Sequence, residues 1–257
     1  MGPTNLTDVS SVDSGGYHGY AVKKDGTVWS VGHNAYGQLG HNGTTNQSSW
    51  KYSGISDISM VSGGYSHGYA LKSDGAVWSI GNNNSGQLGR GGVTDQPTWG
   101  YSGISGVSDV VAGIYHGYAL KNNGTIWSVG DNRNGQLGRA GTTNQSSWNY
   151  SGISNVSIVD SYGYHGYAIK NNGDLWSVGK GSYGQLGRNG TADQSNWGYS
   201  GISEISVVNG GAHHGYVLKN DGTLWSVGRN NYQQLGLGDT TDRSTWTELT
   251  EPFKSSE

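Results

Sequence analysis

The stretch His18-Gly19-Tyr20-Ala21-Val22-Lys23-Lys24-Asp25-Gly26-Thr27-Val28-Trp29-Ser30-Val31-Gly32 decides the fold, because its pattern returns four more times in a chain of 257 residues. Its histidine recurs as His67, His116, His165 and His214, each 49 residues after the last. Gly37-Gln38-Leu39-Gly40 keeps the same register at 86–89, 135–138 and 184–187, and returns as Gln233-Gln234-Leu235-Gly236. A period of roughly 20–50 residues marks a solenoid, propeller or array, whose units bury their apolar faces against one another. The units run 4–52, 53–101, 102–150, 151–199 and 200–248 and are read as one domain.

Each unit opens with an alternating run, strand a, at residues 6–12 in the first unit and 55–61 in the second. A Gly-rich turn leads to strand b, His18 to Lys23. Asp25-Gly26 then precedes strand c, Thr27 to Val31. The pair recurs at 74–75, 123–124, 172–173 and 221–222 as Asp-Gly or Asn-Gly, the strongest short-range signal of a hairpin with a type I′ turn. After a long loop, a second tryptophan at Trp50, Trp99, Trp148, Trp197 and Trp246 marks an outer strand d. Four short strands per unit describe a propeller blade. The fold class is therefore all-β, a five-bladed β-propeller of four-stranded antiparallel blades, and the ring is expected to close within the chain.

Side chains alternate along a strand, so His18, Tyr20 and Val22 face one side of strand b while Gly19 and Ala21 face the other. Radial stacking puts the bulky face of one blade on the bare face of the next. Trp29, Trp78, Trp127, Trp176 and Trp225 on strand c are assigned to packing between blades, with the outer-strand tryptophans partly exposed.

Composition narrows the function. With 47 Gly, 10 Trp, 17 Tyr, one Phe and 13% charged residues, the chain is rich in turn and strand formers rather than helix formers. A net charge of −3 with evenly spread Lys and Arg gives no electrostatic footprint for nucleic acid. No apolar run is long enough to span a membrane, and no signal peptide is visible. The absence of Cys removes disulfides and thiolate metal sites, and fits the cytoplasm or a virion assembled in it.

The order of motifs is clearest at residues 113 to 138, Gly-Ile-Tyr-His-Gly-Tyr-Ala-Leu-Lys-Asn-Asn-Gly-Thr-Ile-Trp-Ser-Val-Gly-Asp-Asn-Arg-Asn-Gly-Gln-Leu-Gly. It resembles the repeat of the regulator of chromosome condensation family, and the resemblance covers nearly the whole chain. The family implies four-stranded blades, commonly seven. Its members that promote nucleotide exchange on a small GTPase and bind nucleosomes look seven-bladed, and this chain has five repeats. Closed five-bladed propellers with units of similar length occur among lectins resembling the tachylectins.

No chemistry recurs with the repeat. Glu is nearly absent before Glu204, so no paired carboxylates repeat, and no nucleophile elbow or calcium loop is present. The reading is not an enzyme, with no cofactor and no metal. His18, His67, His116, His165 and His214 could ring one mouth of the axial channel and bind an anion or a metal. They are instead assigned a structural role, each ring bonding a neighbouring blade's backbone, because folding a repeat needs every copy and function rarely does.

Positions that differ between units carry the binding candidates. The turn before strand b supplies Tyr17, Tyr65, Tyr115, Tyr164 and His213. The loop after strand c supplies His33, Asn82, Arg133, Asn134, Lys180, Tyr183 and Arg229. Recognition concentrates on such loops, and their substitution is expected to change stability little. The function read here is a non-enzymatic binding or structural propeller with a protein partner, for example an exposed component of a phage particle or bacterial surface assembly. The alternative is a lectin with glycan pockets between blades.

Overall fold

Twenty strands form five antiparallel sheets, and among the described residues there is no helix. The computed structural model describes residues 5–250. Blade 1 pairs β1 (Val9–Ser14), β2 (His18–Lys23), β3 (Val28–Gly32) and β4 (Gln47–Tyr52) in chain order. Blade 2 holds β5 (Ile58–Gly63), β6 (His67–Lys72), β7 (Val77–Gly81) and β8 (Gln96–Tyr101). Blade 3 holds β9 (Val107–Ala112), β10 (His116–Lys121), β11 (Ile126–Gly130) and β12 (Gln145–Tyr150). Blade 4 holds β13 (Val156–Tyr162), β14 (His165–Lys170), β15 (Leu175–Gly179) and β16 (Gln194–Tyr199), and blade 5 holds β17 (Ile205–Gly210), β18 (His214–Lys219), β19 (Leu224–Gly228) and β20 (Arg243–Glu248). The first strand of every blade faces the axis, around a cavity of about 470 Å³.

Strand a begins three residues later than the alternation suggests. Asp8, Asp57, Asn155 and Glu204 adopt left-handed φ near 60°, which ends the link and turns it onto the b–c hairpin. There Lys24 N donates to Asp8 O and Ile58 N to Gly26 O. The hairpin itself is not type I′. Gly26 has φ 78° and Asp25 is not left-handed. Asp25 Oδ1 instead accepts Thr27 N and Oγ1, so a three-residue loop with a left-handed glycine closes the strands.

Bulky face meets bare face at close range. A Cβ on Gly68 or Gly117 would lie 2.4 Å from the hydroxyl of Tyr20 or Tyr69 on the preceding blade, so only glycine admits the contact. Tyr20, Tyr69, Tyr118 and Tyr167 are fully buried, and their hydroxyls donate to the carbonyls of Gln38, Gln87, Gln136 and Gln185. Each ring is covered by the outer tryptophan of the next blade, with centroids 5.5 Å apart for Tyr69 and Trp148 and 5.9 Å apart for Tyr20 and Trp99.

The tryptophan assignment is thereby corrected for the outer strands of blades 3 to 5, while Trp50 is exposed and Trp99 half-buried, as expected. Trp148, Trp197 and Trp246 are only 7, 8 and 8% exposed, whereas Trp127 and its strand-c equivalents are half-buried. Sheets splay apart away from the axis, so the widest gap between blades takes the largest side chain of the outermost strand. Trp127 lies at the edge of the inter-blade cluster, with Lys121 Nζ 4.9 Å from its ring.

Among the described residues the ring does not close. Packing like that of β2 on β5 joins blades 1 to 2, 2 to 3, 3 to 4 and 4 to 5, and none of that extent joins β18 to β1. Leu218 and Leu224 on blade 5 are 37 and 41% exposed, and Val12 on blade 1 is 70% exposed. Their equivalents inside the arc, Leu120, Ile126 and Val61, are buried.

Candidate functional site

An antiparallel meander sends the a–b turns and the c–d loops to the same end of every blade. Both variable sets therefore share one face. The c–d loop is supported from within by its repeated residues. Asn34 donates from Nδ2 to the carbonyls of Gly43 and Thr45 and accepts Leu39 N on Oδ1, while Leu39 O accepts the hydroxyls of Ser30 and Ser53. Asn83, Asn132 and Asn230 accept the corresponding leucine amides. Sequence reading overlooked these asparagines as supports, although their recurrence in four units was the signal.

Over blades 1 to 3 the face holds a depression of about 610 Å³ lined by Tyr17, His33, Tyr36, Tyr65, Ser66, Asn82, Asn84, Ser85, Tyr115 and Arg133. Tyrosine rings run across the face in succession. Tyr17 and Tyr65 are 5.4 Å apart with their hydroxyls at 3.3 Å, Tyr65 and Tyr115 are 5.9 Å apart, and Tyr115 and Tyr164 are 6.3 Å apart. Tyr65 occupies the repeat position of Gly16, one before that of Tyr17, yet it completes the row.

Cations continue the row over blades 4 and 5. Lys180 Nζ lies 5.6 Å from the Tyr164 ring, and the Arg229 guanidinium lies 4.8 Å from the Tyr183 ring, which packs on His213 at 5.0 Å. Two candidates support the loops, Asn82 while also lining the depression. Asn82 is buried and its Oδ1 accepts Gln87 Nε2, and Asn134 lies outside the depression with its amide N donating to Gln136 Oε1. Arg133 does both: its Nε donates to Asp131 Oδ1 at 2.8 Å, and Asp131 is fully buried while Arg133 is largely exposed.

The repeated histidines sit beneath this face. His18, His67, His116 and His165 are buried, each ring standing edge-on to the tyrosine two residues on. The backbone of the next blade, at His67 and His116, approaches the rings of His18 and His67, as expected of a bond between blades, although no ring nitrogen of His18, His67 or His165 has a partner in full hydrogen-bond geometry among the described residues; His116 Nε2 meets Ser161 Oγ of the next blade at 3.1 Å. The rings also fill space over glycines such as Gly64 and Gly113, where a Cβ would collide with them. Burial pulls the imidazoles of His18 and His116 down to about 4 and those of His67 and His165 to about 3, with neighbouring imidazoles adding to the effect at His67 and His165. Among the described residues no cluster of His, Asp or Glu could hold a metal ion.

The sequence profile of the RCC1-like domain matches residues 7–256, and the chain belongs to that family. No curated protein matches the sequence. Among solved structures, the chain is similar to Prp20p of Saccharomyces cerevisiae, described with its binding to Gsp1p and histones, at 18% identity and a TM-score of 0.82 over 94% of this chain and 63% of that one. It thus spans less than two thirds of that protein. It is also similar to human WBSCR16, at 22% identity and a TM-score of 0.69 over 96% of this chain and 83% of that one. A structure of yeast RCC1 bound to Kap60 matches at 18% identity and a TM-score of 0.70, over 94% of this chain and 75% of that one.

Proposed function

We propose that this propeller is a non-catalytic protein-binding module that takes an acidic, partly apolar segment of its partner on the loop face. The observation that carries the reading is the depression itself, built from dissimilar loops of three blades and floored by tyrosines. Tyr and Arg are the residue types that dominate binding hot spots, and Lys180, Arg229 and Arg133 give the face its positive side chains. Such a rigid face suits a component of a larger assembly, of the kind found on a phage particle or a bacterial surface. An array of acidic, neutral and basic peptides tests it, with Tyr65→Ala and Lys180→Ala as controls. Binding that ignores peptide charge, or that survives both substitutions, would sink the reading.

A second reading rests on a different observation. Two repeat-equivalent clefts open between blades at the outer rim, one with Arg90, Tyr101 and Trp148, the other with Arg188, Tyr199 and Trp246. Recurrent clefts of aromatic and guanidinium groups are what a multivalent lectin would present. A glycan array decides this, with Tyr101→Ala and Tyr199→Ala each expected to reduce binding. A duplex DNA arm in the same experiment tests the absence of nucleic-acid binding expected from charge.

A further inference from the structure

The chain forms one kind of blade-to-blade interface four times and leaves both halves of a fifth exposed. The outgoing half on blade 5 is Tyr216, Leu218 and Leu224, where Tyr118, Leu120 and Ile126 of blade 3 are buried against blade 4. The incoming half on blade 1 is Val12 and Trp50, where Val159 and Trp197 are buried. Gly68, Gly117, Gly166 and Gly215 each lie against the tyrosine of the preceding blade, whereas Gly19 has none and is approached instead by Trp50 of its own blade, at 3.3 Å from a built Cβ.

We propose that a second copy of this chain covers the seam, with blade 5 of one molecule seated on blade 1 of the next. The occupant follows from the repeat. A surface that fits Tyr216, Leu218 and Leu224 must offer a glycine opposite the tyrosine, a small apolar strand and a tryptophan to cover the ring, and blade 1 carries these as Gly19, Val12 and Trp50, with Trp50 having to turn off Gly19 to cover the incoming ring. Apolar surface of this extent on both ends of one molecule is a mutual match, since each end has the composition its partner buries elsewhere. The polar part matches too. Asp13, Ser62 and Asp160 accept the amides of Gly63, Ala112 and Gly210 on the following blade, and the equivalent Asn209 stands exposed at the end of the arc with an amide oxygen free for the equivalent Ser14 amide.

The junction is weaker than the internal interfaces. Trp99, Trp148, Trp197 and Trp246 donate their indole N–H to Ser53, Ser102, Ser151 and Ser200, and the fifth equivalent of these serines is Leu249, which accepts nothing. Association is therefore concentration-dependent. It is also heterologous, so copies join into a ring or a helical string instead of stopping at a pair.

Light scattering behind size exclusion tests this on the wild-type chain, whose mass should climb with concentration from 27.1 kDa to twice that and beyond. Two variants isolate the junction. Leu218→Lys combined with Leu224→Lys blocks the outgoing face, and Val12→Asp blocks the incoming face. Each alone should remain monomeric, and an equimolar mixture should form a dimer and grow no further, because one intact junction remains. A wild-type chain that is monomeric at every concentration overturns the proposal, as does a folded mixture that fails to pair. Should either variant melt early, the wild-type mass alone decides.

Discussion

Trp148 Nε1 donates to Ser102 Oγ at 2.7 Å, and Ser102 Oγ donates onward to the Leu88 carbonyl at 2.6 Å, so one hydroxyl ties the outer strand of blade 3 to the loop of blade 2. The indole also covers the Tyr69 ring. Trp148→Ala removes the packing and leaves a buried hydroxyl short of a donor, at a cost of about 3–5 kcal/mol. Trp127→Ala, at a half-exposed site, should cost clearly less. Chemical denaturation of both variants measures the order, and equal midpoint shifts would show that burial of the outer tryptophan is not what holds the blades together.

Gly117→Ala should be strongly destabilising although alanine is small. Its Cβ would meet Tyr69, whose hydroxyl is fixed to the Gln87 carbonyl and cannot swing away. Overpacking of this kind costs about 1–3 kcal/mol. Adding Tyr69→Phe removes the atom nearest the new methyl, so the double variant should lose less than the sum of the single ones. Strict additivity would contradict the contact.

Acid should destabilise the fold from near pH 6.5 downward. The folded imidazoles of His18, His67, His116 and His165 are held at about 3 to 4 by burial, while the unfolded chain binds protons at about 6.5. Below that value the unfolded state holds more protons, so the stability present at neutral pH is lost progressively as pH falls. Burial acts the other way on two carboxyls, Asp109, raised to about 6, and Asp160, also raised, but four histidines outweigh them. Thermal melts between pH 8 and pH 4 read the effect. A melting temperature that stays level or rises on acidification refutes it.

Arg133 and Lys180 should separate in stability though both face the ligand side. Arg133→Ala leaves the buried Asp131 carboxylate without its charged partner and should cost about 1 kcal/mol, a modest figure because the guanidinium is exposed and screened. Lys180→Ala should stay within about 0.5 kcal/mol. Paired melts and titrations with an acidic peptide distinguish them, both weakening binding and only Arg133→Ala lowering the melt.

Arg133 is the loop position where substitution should not be neutral, because its guanidinium pairs with the buried Asp131 carboxylate. Sequence comparison between units marked it as variable, and only the fold showed that the variation at position 133 is matched by Asp131 two residues earlier.

Periodicity by itself determined most of the architecture. Five copies of strand b with alternating His18-Tyr20-Val22 and Gly19-Ala21 faces define which face of a blade is bulky, and the 49-residue register defines the blade count. Those features are local and repeated, so each copy reinforces the reading. The tertiary structure decided what depends on accumulated angle and on distance between units. Whether five blades meet depends on the turn accumulated over the interfaces, such as the close approach of Tyr20 to Gly68, which no single unit reveals. Which tryptophan is buried depends on how far sheets have splayed at β12 relative to β11. That Tyr65 joins Tyr17 and Tyr115 in one row, from a different repeat position, follows from turns of different shape meeting above the axis.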